Sequence, residues 1–120
     1  MATFRFRNWK IYNDLRSFRL EIIKEIIPLI PKAERFELVS QLKRALNSSI
    51  LNIAEGAYRS SGKDFAHFIN QSVTSLNEVV AYFDILVDEN YINKSLHSKF
   101  LGKAEELVAQ LSGFHRFLKK

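Results

Sequence analysis

The chain of 120 residues has 47% hydrophobic and 26% charged residues, proportions that are typical of a globular domain and exclude a disordered or membrane protein. It contains no cysteine, which excludes a disulfide framework, a thiol nucleophile and a thiolate metal site. No apolar run reaches the roughly 20 residues that cross a bilayer, and the basic N-terminus lacks the apolar segment of a secretion signal. We therefore expect one cytoplasmic domain over residues 1–120.

Positive charge is concentrated in the first half of the chain. Up to Lys63 there are 12 Lys and Arg residues against 6 Asp and Glu, whereas the remainder has 6 against 7. The net charge of +5 and the isoelectric point near 9.6 favour a polyanionic partner, because clustered cations attract phosphates.

Four stretches with apolar residues at helical spacing follow one another along the chain. "PLIPK" ends the first stretch, Gly56 lies at the end of the second, and the polar segment "DENYIN" ends the third. Ser61 and Ser95 are the predicted N-caps of the last two helices. The predicted helices span about residues 9–27, 33–57, 62–88 and 95–118. Since short connections join antiparallel neighbours, the sequence predicts an all-α, antiparallel up-down-up-down four-helix bundle.

The residue pairs that catalysis or metal binding would need are missing. Di-metal bundles use Glu-x-x-His pairs, and no glutamate here has a histidine three residues later. "RSSGK" has no glycine five residues before its Gly-Lys pair and follows no strand, so it is not a phosphate-binding loop. The serines at 48, 49, 60 and 61 have no histidine nearby, and small polar residues more often mark close helix packing. We expect no enzyme activity, cofactor or metal.

Aromatic and cationic residues alternate near the N-terminus. Phe4, Phe6, Trp9, Tyr12 and Phe18 interleave with Arg5, Arg7, Lys10, Arg16 and Arg19. Such alternation is typical of surfaces that bind single-stranded nucleic acid. The alternative is that Trp9, Tyr12 and Phe18 belong to the core or to an oligomer interface and that the arginines form a solvated face. The candidate nucleic-acid-binding residues are Arg5, Arg7, Lys10, Arg16, Lys43, Arg44, Arg59 and Lys63.

The run "LVSQLKRALNSSILNIAEGAYRSSGKDFAHFINQSVTSLNEV" resembles the four-helix bundle proteins encoded in intervening sequences of bacterial large-subunit ribosomal RNA genes. "NIAEG" at residues 52–56 is its most specific part, and "NWKIYNDL", "SQLKRA" and "ENYI" extend the resemblance over nearly the whole chain. The chain departs from the family at Ile50, where a proline is usual, at Lys43-Arg44 instead of an Arg pair, and at Thr74-Ser75 instead of Gly-Ser. Without the proline, the second helix is expected to be straighter.

The resemblance implies a homopentamer of four-helix protomers with a basic surface. One branch of the family is the Avd-like accessory proteins of diversity-generating retroelements. Resemblance to this branch implies a reverse transcriptase and nucleic acid as partners. The predicted function is a non-enzymatic, oligomeric nucleic-acid-binding accessory protein. The alternative is a homo-oligomeric protein-interaction module that binds no nucleic acid.

The stretch from Asn47 to Phe65 is interpreted as a packing device that builds a corner of the bundle. Small residues keep the second helix slim, and Asn52 and Glu55 are expected to hydrogen-bond across the contact. The residues assigned to structure and assembly are Asn52, Glu55, Gly56, Ser75 and Glu78.

Overall fold

The computed structural model describes residues 3–59 and 61–119, and the side chains of these residues up to Arg116. Its four α-helices are α1 (Lys10–Glu25), α2 (Ser40–Ala57), α3 (Gly62–Asp88) and α4 (Lys94–Lys119), and the described residues form no strand. Each helix contacts the next one along the chain, and α4 also contacts α1. The predicted all-α four-helix bundle is confirmed. None of the described helices is long and apolar enough to cross a membrane.

The core is a continuous cluster of apolar side chains from all four helices. Its centre holds three phenylalanine rings, Phe18, Phe83 and Phe100, whose centroids are 6.1 to 6.4 Å apart. Their tilted and edge-on arrangement is the one that aromatic quadrupoles favour. The residues that are at most 1% exposed around them include Leu15, Ile22, Leu42, Leu46, Ile53, Ile69, Leu76, Val79 and Leu111.

The segment between α1 and α2 is less regular than the sequence pattern predicts. A 3-10 turn at Ile27–Leu29 follows α1, a second one occupies Lys32–Glu34, and a π-helical turn spans Arg35–Val39 before α2 begins. A π-turn adds a residue to the helical repeat. The predicted start of the second helix near residue 33 therefore falls in a 3-10 turn, and the intervening π-turn leaves Phe36 90% exposed while Leu38 packs on the core.

One of the two predicted helix caps is confirmed and the other is wrong. The Ser61 side chain accepts a hydrogen bond from the Asp64 backbone N–H at 3.1 Å, which caps α3. At α4, by contrast, the Asn93 side chain accepts from the Leu96 N–H at 2.8 Å. Asn93 therefore takes the capping role predicted for Ser95, because asparagine is at least as good an N-cap as serine and comes first in the chain.

Polar contacts link α1 to α4 along their outer edge. Lys99 Nζ lies 2.7 Å from Glu25 Oε1, Lys103 Nζ lies 3.2 Å from Glu21 Oε2, and the Gln110 side-chain amide donates to Asp14. The hydrogen bonds from Lys10 and then from Gln110 lower the pKa of Asp14. These groups are partly exposed, so each pair adds little stability, but together they align the two helices.

Candidate nucleic-acid interface

The contact between α2 and α3 is made by small residues, which lets the two backbones approach closely. The Ser72 hydroxyl donates to the Ser49 carbonyl at 2.6 Å, and the Ser49 hydroxyl donates to the Leu46 carbonyl at 2.7 Å. Both serines are at most 1% exposed. Because each buried hydroxyl has a partner, the two helices meet without the cost of an unsatisfied polar group.

A chain of side-chain hydrogen bonds crosses the same contact. The Asn52 amide donates to the Ser48 carbonyl at 2.8 Å and to the Ser48 hydroxyl at 3.2 Å. The Ser48 and Ser75 hydroxyls are 2.8 Å apart, and the Ser75 hydroxyl donates to the Gln71 carbonyl. Ser48 must then be the donor to Ser75, since the one hydroxyl proton of Ser75 is already used. Asn52 thus reaches α3 through two serines, not by a direct hydrogen bond to its backbone.

The other residues assigned to structure and assembly differ in their surroundings. Gly56 is buried near the end of α2, where a Cβ atom would lie 2.7 Å from both Phe65 Cδ1 and Phe68 Cβ. Glu55 is exposed on α2 and pairs with Arg59 at 3.7 Å, so in the protomer it does not bridge to α3 as expected. Glu78 is exposed on α3 and belongs to no ion pair among the described residues.

Aromatic packing fixes the end of the bundle where α2 turns into α3. Trp9 stacks on Phe65 with ring centroids 5.5 Å apart, and Phe114 packs against both rings. Phe18 lies in the central core. For Trp9 and Phe18, the structure therefore supports the alternative interpretation of the N-terminal aromatics as core residues. Tyr12 is half-buried against Phe6 at 5.0 Å.

At this end of the bundle, a cleft of about 670 Å³ lies between the N-terminal 3-10 turn (Arg5–Asn8) and the end of α2. We call it the corner cleft. Tyr58 and Phe4 are its exposed aromatic residues, at 92% and 62%. The residues that form its walls are Thr3, Phe4, Arg5, Phe6, Ala54, Ala57, Tyr58 and Arg59. Arg5 and Arg59, two predicted binding residues from distant parts of the sequence, are thus brought together.

Arg59 is held in position by its neighbours. Its guanidinium lies over the Phe68 ring, 4.6 Å from the centroid, and one of its nitrogens is 3.7 Å from Glu55. Stacking on a ring leaves the N–H groups at the guanidinium edge free to donate. The arrangement therefore suits Arg59 to contact an anion without a large loss of side-chain freedom.

The remaining predicted cations lie on other parts of the surface. Lys43 and Arg44 line a separate cleft on α2 that also contains Glu55. Arg44 is about 20 Å along α2 from the end that precedes Arg59. Arg16 lies between α1 and α2, 5.6 Å from the centroid of the Tyr12 ring. Lys10 pairs with Asp14 on the α1–α4 side. Arg7 and Lys63 are exposed at the corner end.

The sequence analysis did not identify the exposed apolar residues on the side of the bundle formed by α1 and α2. Leu20 and Leu51 are 53% and 61% exposed in a cleft between α1 and α2, which we call the seam cleft and which Arg19 and Asn47 also line. Tyr58, which caps the C-terminal end of α2, follows Leu51 by seven residues and is exposed like it. That spacing is visible in the sequence, but a search for the buried face of each helix does not reveal it.

The structure places two of the histidines apart from each other. His97 pairs with Asp84 at 2.7 Å, and His67 contacts Gln71 at 3.0 Å, on different parts of the surface. In the described part of the chain, no three His, Asp or Glu side chains are grouped so that they could hold a metal ion. Ser60 lies outside the described residues.

Comparison with known proteins gives one family and a similar fold. The family model described as 23S rRNA-intervening sequence protein matches residues 7–113. A crystal structure from Bacteroides thetaiotaomicron, of a protein with unknown function from the S23 ribosomal protein family, is similar with a TM-score of 0.77 and 20% sequence identity. The match covers 88% of this chain and 97% of that one. The comparison with curated proteins found no match.

Proposed function

The chain belongs to the 23S rRNA-intervening sequence protein family, and from this premise we propose that it is a non-enzymatic, homo-oligomeric protein that binds nucleic acid as an accessory factor. The observation that carries the proposal is the corner cleft, in which Arg5 and Arg59 converge and whose described walls include no carboxylate. Arg7 and Lys63 add exposed positive charge at the same end. A phosphate backbone is the ligand that such a surface attracts most strongly.

The proposed mechanism is electrostatic. Lysine and arginine side chains at the corner end neutralise phosphates and release the cations condensed on the nucleic acid, so affinity should fall steeply as salt rises. Several protomers would present the same charged end together. Their combined field would bind nucleic acid more tightly than one protomer without a strong individual site.

The first test measures binding of fluorescent RNA and DNA over a series of salt concentrations. We expect the logarithm of the association constant to fall linearly with the logarithm of salt concentration, with a slope of about −0.7 for each phosphate contacted on a single strand. The double variant Arg59→Glu/Lys63→Glu should bind about tenfold more weakly at low salt and should show a shallower slope. A protein that binds neither RNA nor DNA at low salt would contradict the proposal.

A matched control reverses the charge of two lysine side chains at the opposite end of the bundle. Lys32 and Lys94 are exposed beside the other corner, where the Tyr91 hydroxyl donates to Glu34 at 3.1 Å. The variant Lys32→Glu/Lys94→Glu has the same change in net charge as Arg59→Glu/Lys63→Glu. Because its two residues lie away from the corner cleft, it should retain more affinity for nucleic acid. Equal losses in the two variants would show that net charge alone determines binding.

Two apolar surfaces on opposite sides of the bundle support the proposal of a homo-oligomer. The seam cleft exposes Leu20 and Leu51. Across the bundle, an apolar cleft between α3 and α4 is lined by Val80, Leu101 and Val108. Two different contact surfaces on one protomer allow head-to-tail association, which closes into a ring when the rotation permits. The family resemblance favours a ring of five.

The oligomer is tested by light scattering on purified protein. We expect a mass five times the 14.0 kDa of one chain. Leu51→Glu should shift the mass towards one protomer, because it would place a carboxylate in an apolar contact. Ile85→Glu changes another exposed apolar residue, which is 39% exposed on α3 and lines neither of the two clefts, and it serves as the matched control. A wild-type mass of 14.0 kDa at micromolar concentration would exclude the ring.

The proposed protein partner is the reverse transcriptase of a diversity-generating retroelement, as in the Avd-like branch. The alternative function, a protein-interaction module without nucleic-acid binding, is favoured by the exposed Leu20 and Leu51. Co-purification with the reverse transcriptase, with and without nuclease treatment, distinguishes the two. If Arg59→Glu/Lys63→Glu abolishes capture of the partner while the wild-type protein binds no nucleic acid, the interaction module is the correct function.

A further inference from the structure

The corner cleft differs from the other clefts in having exposed aromatic rings beside its charges. Tyr58 is 92% exposed and Phe4 is 62% exposed, whereas Trp9, Phe65 and Phe114 at the same end pack on one another. An exposed ring leaves its apolar face in water, and among the described residues none buries the rings of Phe4 and Tyr58. Phosphate attraction alone, as proposed above, would not require these rings.

The rings and the guanidinium groups lie at the same place. Phe4 and Tyr58 border the cleft together with Arg5 and Arg59, and Phe6 forms part of its wall with its ring 6.4 Å from that of Phe4. The cleft volume of about 670 Å³ lies within the range of pockets that accept small organic ligands. A flat ring that stacks on Tyr58 would lie in the same cleft as the two arginines.

We infer that the corner cleft binds an unpaired nucleobase of single-stranded nucleic acid, with Tyr58 as the stacking platform and with Arg5 and Arg59 contacting the flanking phosphates. The inference rests on the proposed nucleic-acid binding and specifies the kind of strand that is bound. Stacking on an aromatic side chain contributes to the binding of any base, whereas a base within a duplex is covered by its neighbours and cannot reach the ring. The protein should therefore prefer single strands with little regard to their sequence.

Charge favours a nucleic acid over a protein as the occupant of this cleft. The clefts between α1 and α4 and between α3 and α4 carry carboxylates, among them Glu21 and Glu105. In the corner cleft, the nearest described carboxylate contact is the ion pair of Arg59 with Glu55 at 3.7 Å. An exposed pair of this length contributes little, so a phosphate can replace Glu55 as the partner of Arg59.

The test compares single strands with duplexes in the full chain. Fluorescence anisotropy is measured with RNA and DNA oligomers of about 12 nucleotides, alone and annealed to their complements. Tyr58→Leu should weaken binding of the single strands about tenfold and of the duplexes less than twofold, since one base stack is lost. Tyr58→Phe should bind as the wild type does, because it keeps the ring.

Phe36→Leu is the matched control. Phe36 is 90% exposed on the π-turn at the other end of the bundle, so its replacement removes an exposed ring without touching the corner cleft. Wild-type affinity of Tyr58→Leu for single strands, or an equal loss for single strands and duplexes, would overturn the inference while the proposed function stands. A change of oligomer mass in Tyr58→Leu would assign the ring to a protein contact instead. Failure of the wild-type protein to bind any nucleic acid would overturn both.

Discussion

Replacing Phe83 by alanine is expected to lower the free energy of unfolding by about 3–5 kcal/mol, the usual cost of removing a buried phenylalanine ring. Phe83 is 0% exposed, and its ring lies 6.4 Å from that of Phe18 and 6.2 Å from that of Phe100. The substitution removes both aromatic contacts and leaves a cavity at the centre of the bundle. Thermal unfolding should shift down by about 10–15 °C.

Ile85→Ala is a suitable comparison because Ile85 lies on the same helix and is 39% exposed. Its loss should cost less than about 1 kcal/mol, since part of its surface is already in water. Both variants must be measured at one protein concentration, because association would raise the apparent stability of the folded protomer. Similar melting temperatures for the two variants would show that the three rings do not form the centre of the core.

The helical pattern of the sequence was sufficient to predict the fold. Apolar residues at steps of three and four along α3 and α4 include Phe83 and Phe100, and these residues are buried in the structure. The pattern failed between Ile30 and Ser40, because 3-10 and π-turns change the number of residues per turn. A search for a constant helical period cannot detect such a change.

The candidate site was less predictable than the core. The cations could be named from the sequence, but their grouping depends on how the N-terminal 3-10 turn lies against the end of α2. That contact brings Arg5 to Arg59 and leaves Lys10 on the α1–α4 side. Tyr58 carries no sequence signal of its own, because an exposed tyrosine at the end of an amphipathic helix is ordinary. Only its position beside two guanidinium groups makes it a candidate for base stacking.

The corner between α2 and α3 joins the fold to the proposed binding. Arg59 stacks on Phe68, and Phe68 can occupy that position only because Gly56 has no side chain. The small residues of the α2–α3 contact therefore determine where a cation of the corner cleft is displayed. A substitution that separates the two helices should alter stability and the position of Arg59 together.

Gly56→Ala is therefore expected to lower the free energy of unfolding by about 1 kcal/mol, the cost of overpacking less the gain in helix propensity. A Cβ atom at this position would lie 2.7 Å from Phe68 Cβ, an atom attached directly to the α3 backbone, as well as 2.7 Å from Phe65 Cδ1. The Phe68 Cβ cannot move aside without a shift of α3, so the variant must strain the core or open the corner. Overpacking of this kind costs about 1–3 kcal/mol and should outweigh the gain in helix propensity of about 1 kcal/mol.

Gly102→Ala, in the same bundle, is expected to stabilise the fold instead of destabilising it. Gly102 is exposed on α4, and a Cβ atom there would have nothing within 4 Å. Its replacement should raise the free energy of unfolding by up to about 1 kcal/mol, because alanine favours the helix more than glycine does. Chemical denaturation of the two variants measures both effects. Stabilisation by Gly56→Ala as well would show that α2 and α3 are not in close contact at this corner, and Arg59 would then have no fixed position beside the cleft.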